Sequence, residues 1–235
     1  MICLPFSRNT KGYPVNPGKI IALGINYREH MAHSPTLNSP GSPLPAEPVI
    51  FPKAPSCLTG PGAPIILPAF IKDYGFSAPR TDMEGELAFI IRDRCKNVSP
   101  EEAYDHILGF CCFNDVSQRN LQTGDKAGWF RGKSLDTFGP LGPVLVAPED
   151  MPDPQNLRIV SRLNGRVVQE GSTEDMIFSI RDILSFVSRW FTLMPGDIIS
   201  TGTPGGVSPL APGDLCEVEI EGIGVLANPV REETP

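Results

Sequence analysis

Two acidic residues in this sequence stand inside an otherwise apolar segment. Glu84 and Glu86 are two positions apart, so in a strand they would project from the same face with their Cα atoms about 6.6–6.8 Å apart, while Leu87, Phe89 and Ile91 would occupy the other face. Neighbouring carboxylates repel each other unless a cation lies between them, and hard divalent cations prefer oxygen ligands. The alternative is a solvent-facing edge strand whose charges serve solubility.

A third carboxylate favours the cation site. Asp115 follows the apolar run at 110–113, where a lone buried charge would be costly. Arg119 and Gln122 follow at i+4 and i+7, which would put them on one helical face with Asp115. The alternative for Asp115 is an ordinary N-cap of the next turn.

Other residues that could take part in chemistry lie in loops. Lys133 stands in a glycine-punctuated loop, and Thr203 lies in a Thr-Gly-Thr-Pro-Gly-Gly segment that could offer backbone N–H groups to an anion. Alone, each pattern is more typical of a surface lysine or an ordinary loop. His30 and His33 are three residues apart, but no third nitrogen ligand accompanies them, which argues against zinc. His106 falls within a predicted helix, where we expect a structural role.

The composition predicts the elements that must position these residues. Among 235 residues there are 26 prolines and 23 glycines, which excludes long helices and indicates many short strands joined by turns. Because 40% of the residues are hydrophobic and 20% charged, a packed core is expected. We predict one domain, residues 1–235, rich in β-structure with two or three helices.

The pattern along the chain gives approximate boundaries. A capping box at Ser99 predicts a helix that stops at Gly109, and a second box at Ser179 predicts a helix to Trp190. Asn164-Gly165 predicts a hairpin. The Pro/Ser-rich segment 34–48 is a loop and a possible lid. Strands are predicted at 19–24, 48–53, 84–91, 110–113, 158–163 and 166–169, a helical turn at 117–122, and Pro-Gly turns at 195–196 and 212–213.

Charge and cysteine spacing limit the partners and the compartment. The net charge is −7 without a Lys/Arg-rich run, which argues against nucleic acid as a partner. No apolar stretch approaches the length of a membrane span, and the N-terminus lacks the features of a signal peptide. The six cysteines show no C-x-x-C pair or zinc spacing, as expected of buried thiols in a reducing compartment. We therefore expect a cytoplasmic protein with no membrane partner.

Taken in order, the segments resemble the fumarylacetoacetate hydrolase superfamily, and in particular its short single-domain members. The resemblance spans roughly residues 19 to 228. The segments are Gly-Ile-Asn-Tyr-Arg-Glu-His at 24–30, Pro-Val-Ile-Phe-Pro-Lys at 48–53, Thr-Asp-Met-Glu-Gly-Glu-Leu-Ala at 81–88, Asn-Asp-Val-Ser-Gln-Arg-Asn-Leu-Gln at 114–122, Arg-Gly-Lys-Ser-Leu-Asp-Thr-Phe at 131–138, Asn-Gly at 164–165 and Pro-Gly-Asp-Ile-Ile-Ser-Thr-Gly-Thr-Pro at 195–204.

The resemblance implies a mixed β-sandwich roll, usually dimeric, acting on small 2-oxo acids or oxo-dicarboxylates. It also implies a Mg²⁺ or Mn²⁺ cofactor, which would stabilise the enolate that forms when a neighbouring bond breaks. The implied catalytic residues are His30, the base for hydrolysis, and Lys133. The implied metal ligands are Glu84, Glu86 and Asp115, and the implied substrate contacts are Arg119, Gln122, Lys133 and Thr203.

One position departs from the family pattern. In the hydrolases the catalytic histidine is typically followed three residues later by a glutamate that orients it, and here that position is His33. Glu29 and Glu47 do not have that spacing. The expected function is hydrolysis of a C–C bond in an acylpyruvate or similar 1,3-diketo acid. The alternatives are an isomerase, tautomerase or decarboxylase of an oxo-dicarboxylate such as oxaloacetate, and a non-catalytic dicarboxylate binder.

Overall fold

The described part of the chain forms three β-sheets, joined by turns and a few short helices. The computed structural model describes residues 2–29, 43–125 and 129–234. A nine-stranded mixed sheet has the order β2-β1-β11-β9-β8-β14-β3-β4, with β5 paired to β11. A five-stranded sheet has the order β13-β12-β16-β17-β6, and a three-stranded sheet has the order β10-β7-β15. The predicted fold class, mainly β with a few short helices in a mixed sheet, is confirmed.

The elements have the following bounds. The strands are β1 (Ile2–Phe6), β2 (Asn9–Val15), β3 (Ile20–Leu23), β4 (Ile50–Lys53), β5 (Leu58–Thr59), β6 (Ile65–Leu67), β7 (Thr81–Met83), β8 (Gly85–Ile91), β9 (Ile107–Asn114), β10 (Ser117–Gln118), β11 (Gly139–Val146), β12 (Arg158–Leu163), β13 (Arg166–Ser172), β14 (Ile198–Ser200), β15 (Ser208–Pro209), β16 (Leu215–Ile220) and β17 (Gly224–Glu232). The α-helices are α1 (Arg119–Gly124), α2 (Phe130–Lys133) and α3 (Ile180–Trp190).

Strand β8 lies at the centre of the large sheet and is buried along its whole length. It pairs antiparallel with β9 on one side and with β14 on the other. Leu87, Phe89 and Ile91 belong to the core shared with α3, and Ala88 and Ile90 belong to a second core on the opposite face. The alternative of an exposed edge strand is therefore wrong, because both edges and both faces of β8 are covered.

Helix α3 confirms the prediction from its capping box. Ser179 Oγ accepts from the backbone N–H of Asp182, and the Asp182 carboxylate accepts from the backbone N–H of Ser179. The helix buries Ile183, Leu184 and Val187 against the core. These positions recur at the spacing of one helical face, which is why the sequence pattern located the helix correctly.

The predicted helix from Ser99 to Gly109 is wrong. The structure has a 3-10 helix at Ala103–His106, and β9 begins immediately at Ile107. The capping contact does form, since Glu102 accepts from Ser99 Oγ at 3.0 Å. The residues after His106 are nevertheless needed to pair β9 with β8, so sheet pairing overrides the continuation of the helix.

The turns carry the backbone geometry that their residues predicted. Asn164 and Gly165 both have positive φ, 54° and 77°, between β12 and β13, as a two-residue hairpin requires. Gly196 and Gly213 follow prolines with φ of 89° and 96°. Residues 34–42 of the predicted loop lie outside the described residues, and 43–48 have no helix or strand. Across the described ranges, no helix is long and apolar enough to cross a bilayer.

Candidate metal centre

Glu84, Glu86 and Asp115 meet in the interior. One carboxylate oxygen from each lies within 4.8 Å of one oxygen from each of the others, and all three residues are buried. Glu84 stands between β7 and β8, Glu86 lies within β8, and Asp115 directly follows β9. The antiparallel pairing of β8 with β9 therefore brings Asp115 beside Glu84 and Glu86, which lie about 30 residues earlier in the chain.

Backbone hydrogen bonds fix the two strand ends that carry Glu84 and Asp115. The Asp115 N–H donates to the carbonyl of Glu84 at 2.8 Å. The Glu84 N–H donates to Asn114 Oδ1 at 2.9 Å. This reciprocal arrangement holds the two carboxylate-bearing residues side by side, so their separation is set by the sheet rather than by flexible side chains.

Glu86 is held by the strand on the other side of β8. Its Oε2 accepts from Ser200 Oγ and from the Gly202 N–H, the latter at 3.0 Å. Burial raises the pKa of Glu86 well above its ordinary value, and Asp115 and Glu84 raise it further, while Lys133 and the Ser200 hydrogen bond act in the opposite direction. The Thr-Gly-Thr segment does present a backbone N–H, that of Gly202, and the group that accepts from it is the carboxyl group of Glu86.

Two buried lysines balance the carboxylates. Lys133 Nζ lies 2.5 Å from Glu84 Oε2 and 2.6 Å from Asp115 Oδ2. Lys53 Nζ lies 2.5 Å from the other oxygen of Asp115, Oδ1. Burial by itself lowers the pKa of Lys133, but Asp115 and Glu84 outweigh it and the net shift is upward. Lys133 therefore stays protonated in this environment.

Arg119 forms a fork at the rim of the cluster. Its guanidinium donates to Glu84 Oε1 at 2.6 Å, to Asp82 Oδ2 at 2.7 Å and to Gln122 Oε1 at 2.9 Å. Burial by itself lowers the pKa of Arg119, but Glu84 and Asp82 raise it. Arg119 and Gln122 do share a helix, α1, but Asp115 precedes that helix, so the prediction that all three lie on one helical face is wrong.

Thr203 contacts the backbone between the two glutamates. Its hydroxyl donates to the Gly85 carbonyl at 2.8 Å and accepts from Gln169 Nε2 at 2.9 Å. His30 and His33 lie outside the described residues. His106 lies at the end of a 3-10 helix, where its Nδ1 is 2.6 Å from Asp93 Oδ1.

The donor set fits a hard divalent cation. The three carboxylates offer only oxygen, the ligand type that Mg²⁺ and Mn²⁺ take. Tyr27 adds a second indication, since its buried hydroxyl has no hydrogen-bond partner within the described part of the chain. Burial raises the pKa of Tyr27, and Glu86 and Asp175 raise it further. A buried hydroxyl without a protein partner is expected to meet a water or ligand atom.

Sequence reasoning did not assign a role to several residues that build the centre. Lys53 stands at the end of a predicted strand. Because it follows Phe51 by two residues, it lies on the same strand face as that apolar side chain, and this was the available signal that Lys53 is buried. For the others no local pattern exists, because each acts across the sheet. The missed residues are Lys53, Asp82, Asn114, Gln169 and Ser200.

The chain is similar to known proteins in both sequence and structure. The family model for the fumarylacetoacetate (FAA) hydrolase C-terminal region matches residues 19–231. An uncharacterized protein of Pyrococcus abyssi is 46% identical over 236 residues, covering 99% of this chain and 98% of its own. Two solved structures are also similar.

The first is 5-carboxymethyl-2-hydroxymuconate delta-isomerase from Mycobacterium smegmatis, with a TM-score of 0.81 and 39% identity over 94% of this chain and 82% of its own. The second is maleylpyruvate hydrolase from Sphingobium sp. SYK-6, in complex with manganese (II) ion and pyruvate. Its TM-score is 0.76, with 32% identity over 93% of this chain and 72% of its own.

Proposed function

The chain belongs to the fumarylacetoacetate hydrolase family, and from that premise we propose that it is a divalent-metal-dependent hydrolase of a small acylpyruvate or related 1,3-diketo acid. The observation that carries the proposal is the buried cluster of Glu84, Glu86 and Asp115, which offers oxygen ligands beside two buried cations. The similarity to a maleylpyruvate hydrolase with bound manganese and pyruvate supports both the metal and the substrate class.

Formal charges at the centre favour an anionic substrate. The carboxylates of Asp82, Glu84 and Asp115 form ion pairs with Arg80, Arg119, Lys53 and Lys133, including the Arg80–Asp82 pair at 2.7 Å. With Glu86, which is hydrogen-bonded to Ser200 and Gly202, four carboxyl groups face four basic side chains. A divalent cation adds two positive charges to this balanced set. A 2-oxo acid carries a negative carboxylate, and further negative charge develops on its keto oxygen during the reaction. Both complement the excess positive charge.

Each residue then has a defined task. Mg²⁺ or Mn²⁺, when bound, supplies Lewis-acid polarisation of the substrate's oxygens. Lys133 stabilises negative charge on the reacting keto oxygen, and Arg119 with Gln122 holds the substrate carboxylate, which a guanidinium can grip with two parallel bonds. Thr203 lines the floor of the site beside Gly85. His30 takes a proton from the attacking water, whose oxygen adds to the acyl carbonyl carbon. The C–C bond then breaks to release a carboxylic acid and the pyruvate enolate, which takes up the proton to give pyruvate.

A second candidate is an isomerase, tautomerase or decarboxylase of an oxo-dicarboxylate such as oxaloacetate. It needs the same charge stabilisation but no activated water. His33 in place of the glutamate that follows the family's catalytic histidine favours this candidate, as does the similarity to the M. smegmatis isomerase. The distinguishing feature is therefore whether a paired base is available, not whether the metal centre forms.

One assay set separates the two candidates. Manganese-loaded protein is incubated with acetylpyruvate and maleylpyruvate, and pyruvate release is followed with lactate dehydrogenase. Enol-to-keto conversion of oxaloacetate is followed by absorbance against a metal-only blank. Pyruvate release above the blank that is lost in Glu86→Gln supports the hydrolase. No release, with accelerated oxaloacetate tautomerisation, supports the second candidate, and neither activity contradicts both.

We further propose that the protein works as a homodimer, as the family resemblance implies. The exposed side chains of Phe130 and Phe191 line an apolar groove of about 460 Å³ along β3 and β4, at the end of the large sheet, which gives a surface for such contact. Light scattering coupled to size-exclusion chromatography tests this, and a mass near 25.5 kDa at micromolar concentration would contradict it.

A further inference from the structure

Lys53 carries a fully buried ammonium group. Its side chain is 0% exposed at the end of β4. The ammonium donates to Asp115 Oδ1, to the carbonyl of Phe138 at 3.0 Å and to the carbonyl of Lys133. It has three donors, and these three acceptors use all of them. Lys53 is therefore held in one place, whatever else binds at the centre.

These contacts connect Lys53 to two parts of the site at once. It binds the oxygen of Asp115 that Lys133 does not contact. It also holds the backbone carbonyl of Lys133, whose ammonium contacts Glu84 and Asp115. The ring of Phe113 lies beneath Lys53 Nζ, 5.7 Å from it, so water does not screen the charge from that side.

We propose that Lys53 is a fixed counter-charge which weakens cation binding and strengthens anion binding at the carboxylate cluster. This inference rests on the proposed metal-dependent function. The ammonium neutralises part of the charge on Asp115 and repels a cation bound by the same carboxylate, so the metal is held less tightly. The same charge attracts the oxo acid. Lys53 acts through Asp115 and Lys133 and is a positioning residue, because it does not touch the substrate.

The opposite signs of these two effects distinguish the proposal from a purely structural role. Replacing a buried lysine that only supports the fold would lower the affinities for the cation and for the anion together, or change neither. Replacing a counter-charge must raise the affinity for the cation and lower the affinity for the anion. At the short range given by the Lys53–Asp115 contact, one unit charge is expected to change each affinity by about tenfold or more.

The test uses two neutral variants. Lys53→Met keeps a side chain of similar length without the charge. Lys53→Gln also keeps hydrogen-bond donors for the carbonyls of Lys133 and Phe138. Isothermal titration calorimetry measures Mn²⁺ binding to metal-free protein, then oxalate binding to Mn²⁺-saturated protein. We expect tighter Mn²⁺ and weaker oxalate binding in both variants. The control is Lys19→Met, which removes a different lysine–aspartate pair, between half-buried Lys19 and buried Asp197, and should change neither affinity.

Each result decides between the possibilities. If Mn²⁺ and oxalate affinities fall together, or neither moves, the counter-charge role is wrong while the proposed function stands. If wild-type protein binds neither ligand, the proposed function fails as well. If a neutral variant folds only with Mn²⁺ present, the proposal is supported, because the cation then supplies the missing charge. A variant unfolded both with and without Mn²⁺ contradicts it.

Discussion

Glu86 depends on a single hydroxyl from the neighbouring strand. Ser200 Oγ and the Gly202 N–H both donate to Oε2, which leaves Oε1 for a ligand. In Ser200→Ala the backbone contact remains but the hydroxyl is lost. Hydrogen bonds to charged groups contribute about 1.5–3 kcal/mol, so Mn²⁺ affinity should fall by about tenfold or more.

Calorimetry of Mn²⁺ binding measures this effect. The matched control is Ser188→Ala, which removes another buried serine hydroxyl, one that accepts from the Val98 N–H in a different part of the core. Ser188→Ala should lower the thermal midpoint and leave Mn²⁺ affinity unchanged. Equal metal affinities in wild type and Ser200→Ala would show that Ser200 does not position Glu86.

Arg119 cannot be replaced by lysine without losing its fork. The guanidinium contacts Asp82, Glu84 and Gln122 simultaneously, and a lysine ammonium cannot span the same three groups. In Arg119→Lys we expect kcat/KM to fall by about tenfold to a hundredfold, equivalent to about 1.4–2.7 kcal/mol. Mn²⁺ affinity should change less, because Glu84 keeps its contact with Lys133.

Steady-state kinetics with whichever substrate the protein turns over measures the change in kcat/KM, and Arg80→Lys is the control. Arg80 also contacts Asp82, but its side chain is 50% exposed and it does not reach Glu84 within the described contacts. Arg80→Lys should retain kcat/KM within about twofold, in line with the small contribution of exposed ion pairs. Loss of activity in both variants to the same extent would assign the effect to Asp82 rather than to the fork.

At the level of elements, the crossing of β8 and β12 requires a glycine between the two glutamates. A Cβ at Gly85 would overlap Ser161 Oγ and lie 3.2 Å from Val218 Cγ1. Overpacking of this kind typically costs about 1–3 kcal/mol, so Gly85→Ala should lower the free energy of unfolding by that amount. Urea denaturation in the absence of metal measures it.

Ser161 offers an internal control for that prediction. Its buried hydroxyl has no hydrogen-bond partner in the described part of the molecule, so Ser161→Ala should be nearly neutral. The double variant Gly85→Ala/Ser161→Ala should recover part of the lost stability, since the overlapping atom is gone while Val218 remains. Strict additivity of the two single changes would show that the clash is not the cause.

Sequence patterns located the elements whose signals are local. The Ser179–Asp182 box gave α3, and Asn164-Gly165 gave the β12–β13 hairpin, because both signals are contained within a few residues. The helix predicted from Ser99 failed, although Ser99 and Glu102 do make their contact. Pairing of Ile107 with Ile91 cannot be seen locally, and it ended the helix after four residues.

For the molecule as a whole, buried thiols make stability dependent on alkaline pH. Burial raises the pKa of Cys112 to about 12 and that of Cys216 to about 12. The ordinary thiol pKa is about 8.5, so above that pH the unfolded chain loses protons that the folded chain keeps. Unfolding then releases protons, and stability falls as the pH rises from about 8.5 toward 12.

Each such thiol should lower the free energy of unfolding by on the order of 2 kcal/mol at pH 10. Buried Tyr27 acts in the same direction above pH 10, because burial raises its pKa as well. Urea denaturation at pH 7.5, 9 and 10 measures the slope. Cys112→Ala should have a shallower slope than wild type, and a wild-type midpoint constant up to pH 10 would contradict the expectation.

The candidate centre was predictable to the extent that its residues differ from their surroundings. Glu84, Glu86 and Asp115 were visible because acidic residues are rare in apolar runs. Lys53 and Ser200 were not recognised: nothing local marks Ser200 as buried, and the one local signal at Lys53 is that it shares a strand face with Phe51. Their partners lie 62 and 114 positions away, and only the sheet order brings them together.

Those long separations also determine when the centre can form during folding. The contacts of Glu86 with Ser200 and of Lys53 with Asp115 close loops of many residues, and β14 must dock between β3 and β8 before Glu86 has its partners. Contacts of high sequence separation form late, because their loop-closure entropy is paid before they contribute. The buried partners of the carboxylates are thus expected to reach them late in folding, after the β8–β9 pairing has formed. A bound cation is then expected to slow unfolding rather than template the chain.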